Sequence, residues 1–180
     1  GIVFAETFGN FAFAIAARVM GLRDIGPAIS PFNAFLILTG IETLPLRMRA
    51  HCDNAVAAAE FLSKHPKVAW VNYAGLASSP NHALQKRIAP NGAGAVFTFG
   101  VKGGYEAGVK VVAGLKLFSH LANIGDTRSL VIHPASTTHR QLTDDQRKAA
   151  GAGPDVVRLS VGIEDKADII ADLEHALAAV

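Results

Sequence analysis

The sequence is poor in charge and in cysteine, and each shortage argues against a class of protein. Only 18% of the 180 residues are charged, with 17 basic against 15 acidic side chains. No stretch concentrates Lys and Arg with aromatic residues, so nothing indicates a nucleic-acid-binding surface. Cys52 is the single cysteine, which excludes an internal disulfide framework and favours a reducing, cytoplasmic location.

Long hydrophobic runs are also lacking, although 50% of the residues are hydrophobic. The longest candidates, "FAFAIAA" and "AFLILTGI", are far shorter than the roughly 20 residues that a membrane helix needs. No signal-peptide pattern is found. We therefore expect no membrane association. The high apolar content indicates a rich core, or an apolar surface that meets another domain or subunit.

The spacing of apolar residues predicts an α+β domain with about four strands and helices on one face of the sheet. Ser30 and Pro31 mark a helix start, and Pro45 is expected to break the helix that follows. The predicted helices cover residues 10–22, 31–45, 46–63, 81–88, 105–118, 143–151 and 166–180, and the extended segments cover 68–75, 93–104, 119–125, 129–134 and 155–165.

Arg158 is the most unusual residue of this pattern. The segment "DVVRLSVGIED" (155–165) alternates as a strand, and the arginine stands in its middle. A guanidinium that loses its water must be paired. Arg158 therefore reaches solvent, meets a carboxylate of the protein, or binds a carboxylate that arrives as a ligand. On the pattern alone, an internal ion pair or a solvent-reaching arginine is the commoner outcome.

Other candidate motifs favour structural roles. His133 and His139 lack the spacing of metal ligands, so no metal site is predicted. His51 and Cys52 are adjacent on a helix and cannot face each other as a nucleophile pair, so Cys52 is interpreted as a core residue. The glycines of "GAG" and "KGG" do not match a phosphate-binding loop and are interpreted as turns.

Three segments carry a resemblance to a known family. "GLRDIGPAISPFNAFLILTGIETLPLRMRAHCDNA" (21–55), "NIGDTRSLVIHPASTTH" (123–139) and "VVRLSVGIED" (156–165) resemble the pyridoxal-phosphate-dependent transsulfuration enzymes of Cys/Met metabolism, and their wording is most similar to the O-acetylhomoserine sulfhydrylases. The resemblance implies the C-terminal small domain of a fold-type I enzyme, with a mostly antiparallel sheet preceded by a long linking helix.

The resemblance also assigns roles to four residues. Arg158 is implied to bind the α-carboxylate of an amino-acid substrate, and Asn123 to assist it, although the family's lyases have Ser at that position. Thr138 matches a hydroxyl that supports the arginine, and Ser129 is expected nearby, outside direct contact with the substrate. The planar guanidinium of Arg158 would hold the substrate carboxylate in a fixed orientation and so orient the Cα–H bond of the substrate.

The family's cofactor site is not expected within this chain. The family holds pyridoxal 5'-phosphate through a lysine in a Ser/Thr-rich stretch, and none of the eight lysines has that context. The chain is therefore expected to be a C-terminal portion, with the end of the large domain at 1–30, linking helices at 31–63 and the small domain at 64–180. No catalytic, cofactor-binding or metal-binding residue is predicted, and pyridoxal phosphate is not expected to be covalently bound here.

The implied reaction joins O-acetylhomoserine with sulfide or a thiol to give homocysteine or methionine and acetate. The implied partners are the amino-acid substrate, an N-terminal domain and, in the intact enzyme, the other subunits of a homotetramer. O-Succinylhomoserine sulfhydrylase, cystathionine γ-synthase and cystathionine γ-lyase are alternatives within the family. A non-catalytic domain that binds a carboxylate or mediates oligomerisation is the alternative from another class.

The 180-residue chain by itself is expected to be inactive, because it lacks a lysine in the required context. The check is an assay with O-acetylhomoserine, sulfide and pyridoxal phosphate, using chain purified free of the host's own enzyme. Homocysteine production above background would contradict the expectation.

Overall fold

The chain divides into two compact units, Gly1–Leu44 and Pro45–Val180. They are seen in a computed structural model that describes residues 3–180, so the first two residues of the predicted 1–30 segment lie outside the described residues. The predicted division of the sequence among parts of a larger enzyme stays a prediction.

The first unit is helical. Ser30 caps its longest helix, since the Asn33 amide donates to the Ser30 Oγ at 3.1 Å, and Pro31 occupies the first turn. The predicted helix 10–22 is instead divided among a 3₁₀ turn, an α-helix and a π-helical segment. The elements are α1 (Phe4–Phe8), a 3₁₀ turn (Gly9–Phe11), α2 (Ala12–Ala16), a π-helical segment (Ala17–Ile25) and α3 (Pro31–Glu42).

Helix α3 is apolar around most of its circumference, yet none of its residues is buried. Phe32, Phe35 and Leu38 are each more than 60% exposed. A helix that is hydrophobic all round is normally buried in a larger assembly. The composition of this unit thus accounts for much of the excess apolar content of the sequence.

The second unit is an α+β domain, as predicted. Its long first helix begins just after Thr43, so the break expected near Pro45 is confirmed, and Pro45 lies in the first turn of the new helix. The elements are α4 (Leu44–Lys64), β1 (Val68–Asn72), α5 (His82–Ile88), β2 (Val96–Val101), α6 (Gly104–Gly114), β3 (Ser119–His120), β4 (Leu130–Ile132), a 3₁₀ turn (Pro134–Ser136), α7 (Asp144–Ala149), β5 (Val156–Ser160) and α8 (Lys166–Ala178).

The sheet has the order β1-β2-β5-β4-β3, with β5 in the centre. Three of the four pairings are antiparallel, and only β3 runs parallel to its neighbour β4. The sheet therefore has five strands where the sequence indicated about four. Strand β3 has only two residues, and both lie within the extended segment predicted at 119–125.

One face of the sheet carries the hydrophobic core. Val157 and Leu159 of β5 are fully buried there, in one cluster with Leu62 of α4, Val111 of α6 and Leu173 of α8. Because the three long helices share this cluster, they lie on the same face, as the sequence predicted. Helix α6 ends at Gly114, earlier than expected, and the Asp172 carboxylate accepts the amide protons of the extended residues that follow.

Within residues 3–180, no helix combines the length and the hydrophobicity needed to cross a membrane. Helix α4, the longest with 21 residues, alternates charged and apolar side chains.

Replacement of Leu173 by Ala is expected to lower the free energy of unfolding by about 2–5 kcal/mol, since it opens a cavity in the core. Leu173 is 0% exposed. Urea unfolding followed by far-UV circular dichroism measures the change. The matched control is Leu84→Ala in α5, where the side chain is 45% exposed and a loss of about 0.5 kcal/mol or less is expected. Equal losses at both positions would contradict the assigned core.

Candidate functional site

Arg158 lies on the central strand, on the face opposite the helical core. Its partners in register are Thr98 of β2 and Ile132 of β4. Directly opposed residues of antiparallel strands project to the same side, so the arginine stands between a hydroxyl and an apolar side chain. It is half-buried, whereas the other residues of β5 are buried.

Among residues 3–180, the guanidinium of Arg158 has a single polar partner. Arg158 Nη2 donates to the backbone oxygen of Asn123 at 3.4 Å. Among residues 3–180, no carboxylate lies within 4.0 Å of the Arg158 side chain. An internal ion pair, which the strand pattern allowed, is thereby excluded for the described residues. The charged guanidinium of Arg158 thus lies at the surface of the sheet, and most of its N–H donors have no carboxylate or backbone acceptor among the described residues.

Asn123 belongs to the loop that joins β3 to β4. Its side chain is exposed, and its Oδ1 accepts the Ile124 amide at 2.8 Å. With this acceptor engaged, the two amide protons of the Asn123 side chain are left for another group. The structure thus brings Asn123 to Arg158 through the backbone, and leaves its side-chain donor available beside the arginine.

The same loop is stiffened by its own charges. The Arg128 amide donates to Asp126 Oδ1 at 3.0 Å, and Arg128 Nε approaches the same oxygen at 3.4 Å. These interactions hold the pKa of Asp126 below its usual range, with the backbone hydrogen bond as the largest cause. Gly125 has a φ of +80°, a conformation that glycine adopts without strain.

Ser129 ties this loop to the end of the central strand. It is 0% exposed. Its amide donates to Glu164 Oε1 at 2.6 Å, its hydroxyl donates to Glu164 Oε2 at 2.9 Å, and its Oγ accepts the Gly162 amide at 2.8 Å. The expected role of Ser129 near the arginine stays a prediction, while its contacts show a hydroxyl that joins two segments of backbone.

The approach of these two segments requires a glycine at position 162. A Cβ there would overlap the Glu164 carboxylate, the Thr127 carbonyl oxygen and the Ser129 amide nitrogen. Any side chain would push the 127–129 backbone away from the strand. The glycine of "SVGIED" is therefore explained by close packing of backbone.

Thr138 lies elsewhere. It is exposed, and its Oγ1 is 2.8 Å from His139 Nδ1. No hydrogen bond joins Thr138 to Arg158 among the described residues. The neighbouring hydroxyl of Thr137 donates to the His133 carbonyl at 2.8 Å and so closes the loop. The role implied for Thr138 stays a prediction without a contact to support it.

Two residues of α4 also reach this region: His51, which the sequence analysis considered only as a partner of Cys52, and Asn54, which it did not consider. His51 Nδ1 lies 2.7 Å from the carbonyl oxygen of Val161, so it carries the proton and donates it. Asn54 Nδ2 donates to the carbonyl oxygens of Gly162 at 3.1 Å and of Glu164 at 2.8 Å. The sequence contained one signal for them, since they are the two polar residues on a helix face that is otherwise buried and rich in alanine.

His51 has a buried ring nitrogen without a hydrogen bond among the described residues, which is energetically unfavourable. The ring is 2% exposed, and within residues 3–180 its Nε2 has no hydrogen-bond partner. With the proton on Nδ1, Nε2 is an acceptor, and leaving such a group buried and unpaired costs about 1–3 kcal/mol. An apolar side chain of similar size would avoid that cost.

Three cavities adjoin the loop after α5, and two of them are also lined by α4. The larger of these two, about 650 Å³, is lined by α4 and by residues 88–94 and touches neither Arg158 nor Asn123. The smaller, about 280 Å³, is lined by His51, Ile124, Gly125 and Ser160, among others. Neither Arg158 nor Asn123 lines the smaller cavity either, but its wall includes Ile124, the residue after Asn123, and Ser160 of the strand that carries Arg158.

Gly94 lines both cavities and is fixed by Tyr73. The Tyr73 hydroxyl donates to the Gly94 carbonyl at 2.8 Å, and its ring lies 5.2 Å from that of Phe97. Burial, and to a lesser degree the nearby Cys52 thiol, raises the pKa of Tyr73. The phenol therefore stays neutral and bonded in the folded protein at alkaline pH.

The lysines of the chain lie mostly at the surface. Seven of the eight are exposed, and Lys67 binds the carbonyl oxygens of Ala178 and Val180. None lines either cavity. Residues 3–180 also contain no group of three His, Cys, Asp or Glu side chains that could hold a metal ion. The arrangement fits recognition of an anion at Arg158, and attachment of the cofactor outside this chain stays a prediction.

Comparison with known proteins identifies the family of this chain. The family model of the Cys/Met metabolism PLP-dependent enzymes matches residues 2–178. The chain belongs to that family, and the resemblance drawn from its motifs is confirmed.

Individual members of the family are similar to this chain over nearly its whole length. An O-acetyl-L-homoserine sulfhydrylase of Leptospira meyeri is 56% identical over 98% of this chain and 42% of the relative. A homocysteine synthase of Schizosaccharomyces pombe is 55% identical over 98% of this chain and 41% of the relative. The chain therefore spans about two fifths of the length of these curated relatives.

A solved structure confirms the fold. The crystal structure of an O-acetylhomoserine (thiol)-lyase from Campylobacter jejuni, which contains N'-pyridoxyl-lysine-5'-monophosphate, matches with a TM-score of 0.85. The match has 42% sequence identity and covers 92% of this chain and 39% of that one. The predicted fold class, including the link to a pyridoxal-phosphate enzyme, is thus borne out.

Replacement of Tyr73 by Phe is expected to flatten the loss of stability at alkaline pH. The folded phenol has a raised pKa, so above about pH 10 the unfolded chain releases a proton that the folded chain keeps, and stability falls by about 1.4 kcal/mol per pH unit. The variant lacks this dependence, although it is about 1 kcal/mol less stable at pH 7 through the lost hydrogen bond to Gly94. Urea unfolding between pH 8 and 11 measures both effects.

The matched control is Cys52→Ala. Because burial is the larger cause of the raised pKa and the thiol the smaller, this variant is expected to keep most of the alkaline slope. Identical slopes for Tyr73→Phe and the unaltered chain would contradict the assignment.

Proposed function

We propose that this chain is the part of a pyridoxal-phosphate-dependent O-acetylhomoserine sulfhydrylase that binds the substrate's α-carboxylate. In the whole enzyme, O-acetylhomoserine and sulfide or a thiol would give homocysteine or methionine and acetate. The observation that carries the proposal is the half-buried guanidinium of Arg158, which has no carboxylate partner among the described residues.

The chemistry of the arginine supports a carboxylate ligand. A guanidinium is always charged and presents paired donors in one plane, which match the two oxygens of a carboxylate. The backbone oxygen of Asn123 receives one donor of Arg158 and so orients the plane, leaving the outer edge for the ligand.

Asn123 is proposed to make the second contact. Its Oδ1 is occupied by the Ile124 amide, so the side-chain amide is oriented with its NH₂ outward. A carboxylate held by Arg158 would accept one of these protons. The two contacts together would fix the rotation of the bound amino acid about its Cα–carboxylate bond, which orients the Cα–H bond for removal.

The cofactor's role follows from family membership. When bound, pyridoxal phosphate supplies an electron sink for the bond changes at Cα and Cβ of the substrate. The residues of this chain are proposed to hold the substrate in place for that chemistry. The exposed lysines and the absence of lysine from both cavities support attachment of the cofactor by a residue outside the 180.

The setting of the enzyme is also proposed. A cytoplasmic location is supported by the single cysteine, Cys52. Association with a large N-terminal domain, and of whole subunits into a homotetramer, is supported by the exposed apolar side chains of α3.

Replacement of Arg158 by Lys in the whole enzyme is expected to raise KM for O-acetylhomoserine by about 10- to 100-fold, with a smaller effect on kcat. The change keeps the positive charge but removes the paired donors, a loss comparable to one or two charge-assisted hydrogen bonds. Steady-state kinetics with sulfide at saturation measures the change.

The matched control is Arg87→Lys on α5, an exposed arginine outside the site, where both constants are expected to stay within about twofold. An unchanged KM in Arg158→Lys would contradict the carboxylate role. Turnover of O-succinylhomoserine in preference to O-acetylhomoserine by the unaltered enzyme would move the assignment to the alternative sulfhydrylase.

A further inference from the structure

We propose that His51 and Asn54 of α4 are positioning residues for the Arg158 carboxylate site, acting through segment 161–164. The inference rests on the proposed function, because it concerns the geometry of the same substrate site. Neither residue touches Arg158. Both fix the backbone that continues directly from the strand on which the arginine stands.

Segment 161–164 has no regular secondary structure, so its backbone polar groups need partners from elsewhere. On the α4 side, His51 donates to the Val161 carbonyl, and Asn54 donates to the carbonyls of Gly162 and Glu164. One helix therefore binds three of the four carbonyl oxygens of the segment. No other described element offers them hydrogen bonds from side chains.

The amide protons of the segment are directed to the opposite side. The Val161 amide donates to the Ala95 carbonyl and the Ile163 amide to the Thr127 carbonyl, each at 2.9 Å, while the Gly162 amide donates to Ser129 Oγ. Two of these three bonds reach the Asn123–Ser129 loop. The segment is thus fixed between α4 on its carbonyl side and the substrate loop on its amide side.

This arrangement couples the two halves of the proposed carboxylate site. Arg158 is three residues before Val161 on the same chain, and Asn123 is in the loop that Thr127 and Ser129 attach to the segment. Because β2 and β4 hold Arg158 on both sides, a shift of segment 161–164 would move the Asn123–Ser129 loop relative to the guanidinium. Productive binding of a small ligand requires such groups to be held within about 0.5 Å.

The identity of the two residues argues for a positioning role over a purely stabilising one. The rest of the buried face of α4 is apolar, formed by Ala55, Ala58, Ala59 and Leu62. His51 leaves its Nε2 without a hydrogen bond among the described residues, a conflict with core packing that natural sequences tolerate mainly at functional sites. What His51 provides is one hydrogen-bond donor, Nδ1, directed at the carbonyl oxygen of Val161.

The test compares two substitutions of His51 in the whole enzyme loaded with pyridoxal phosphate. The side-chain nitrogen of Asn stands where Nδ1 of His stands, whereas that of Gln stands near Nε2. His51→Asn is therefore expected to keep the bond to Val161 and a KM for O-acetylhomoserine within about threefold of the unaltered enzyme. His51→Gln, which fills more of the space, is expected to raise KM at least tenfold with kcat within about twofold.

Asn54→Ala provides a second variant, with the same expected rise in KM, because it removes both bonds from Asn54. Its matched control is Asp172→Ala. Asp172 also joins two elements of the domain, accepting the amides of Lys116 and Leu117, but it is remote from segment 161–164 in the hydrogen-bond network. This control is expected to lower Tm as much as Asn54→Ala while leaving KM unchanged.

Hydrogen exchange gives a readout independent of turnover. His51→Gln and Asn54→Ala are expected to speed exchange of the Gly162 and Ser129 amides about tenfold or more, and Asp172→Ala is not. A KM that follows Tm across all four variants, or unchanged exchange at Gly162 and Ser129, would overturn the proposal.

Failure of the proposed function is recognised separately. It would be seen in the unaltered enzyme as absence of turnover, or in Arg158→Lys as an unchanged KM. In that case the exchange rates still decide whether His51 and Asn54 fix the segment. With an active enzyme and a raised KM in Arg158→Lys, an unchanged KM in both His51→Gln and Asn54→Ala overturns only the positioning role.

Discussion

The double pairing of β5 is the constraint on which the rest of the domain depends. Because β2 and β4 flank it on both edges, its backbone groups are satisfied by the sheet, and its two faces have to serve opposite purposes. One face presents Val157 and Leu159 to the helices. The other face presents Arg158, which the rigid ladder holds away from any carboxylate of the described chain. A charge on an edge strand could turn toward solvent, but on the central strand its position is imposed by its neighbours.

Most of the fold could be predicted because it arises from local patterns. Alternation in "DVVRLSVG" identifies a strand, and the Ser30-Pro31 pair and Pro45 locate a helix start and a helix break, each through backbone chemistry that acts within a few residues. Segment 119–125 was predicted to be extended, but the limits and the pairing of the two-residue strand β3 within it were not. Its two residues are extended because β4 lies beside them, and a pairing partner is a property of the folded chain.

The site was predictable only in part, for a related reason. The oddity of Arg158 is visible in the strand pattern, but whether a carboxylate lies opposite it depends on which elements the topology brings together. The family resemblance assigned its role and that of Asn123, and the structure places the two in contact. The hydrogen bonds of His51 and Asn54 could not be predicted. Their partners, Val161, Gly162 and Glu164, are more than a hundred residues away in sequence. No spacing rule within a helix reports such a bond.

The place of β5 in the chain order also has a consequence for biosynthesis. A ribosome completes β2 and β4 well before it reaches β5, so both strands have to wait with an unpaired edge toward the centre of the sheet. At about 5–20 residues per second, the interval between β2 and β5 lasts about 3 to 12 seconds. During that time the nascent domain exposes apolar side chains and unpaired strand edges, because the central strand β5 has not yet been made. The last strand to be made is the one that closes the sheet, and nascent chains of this kind are natural clients for chaperones that cover exposed strands.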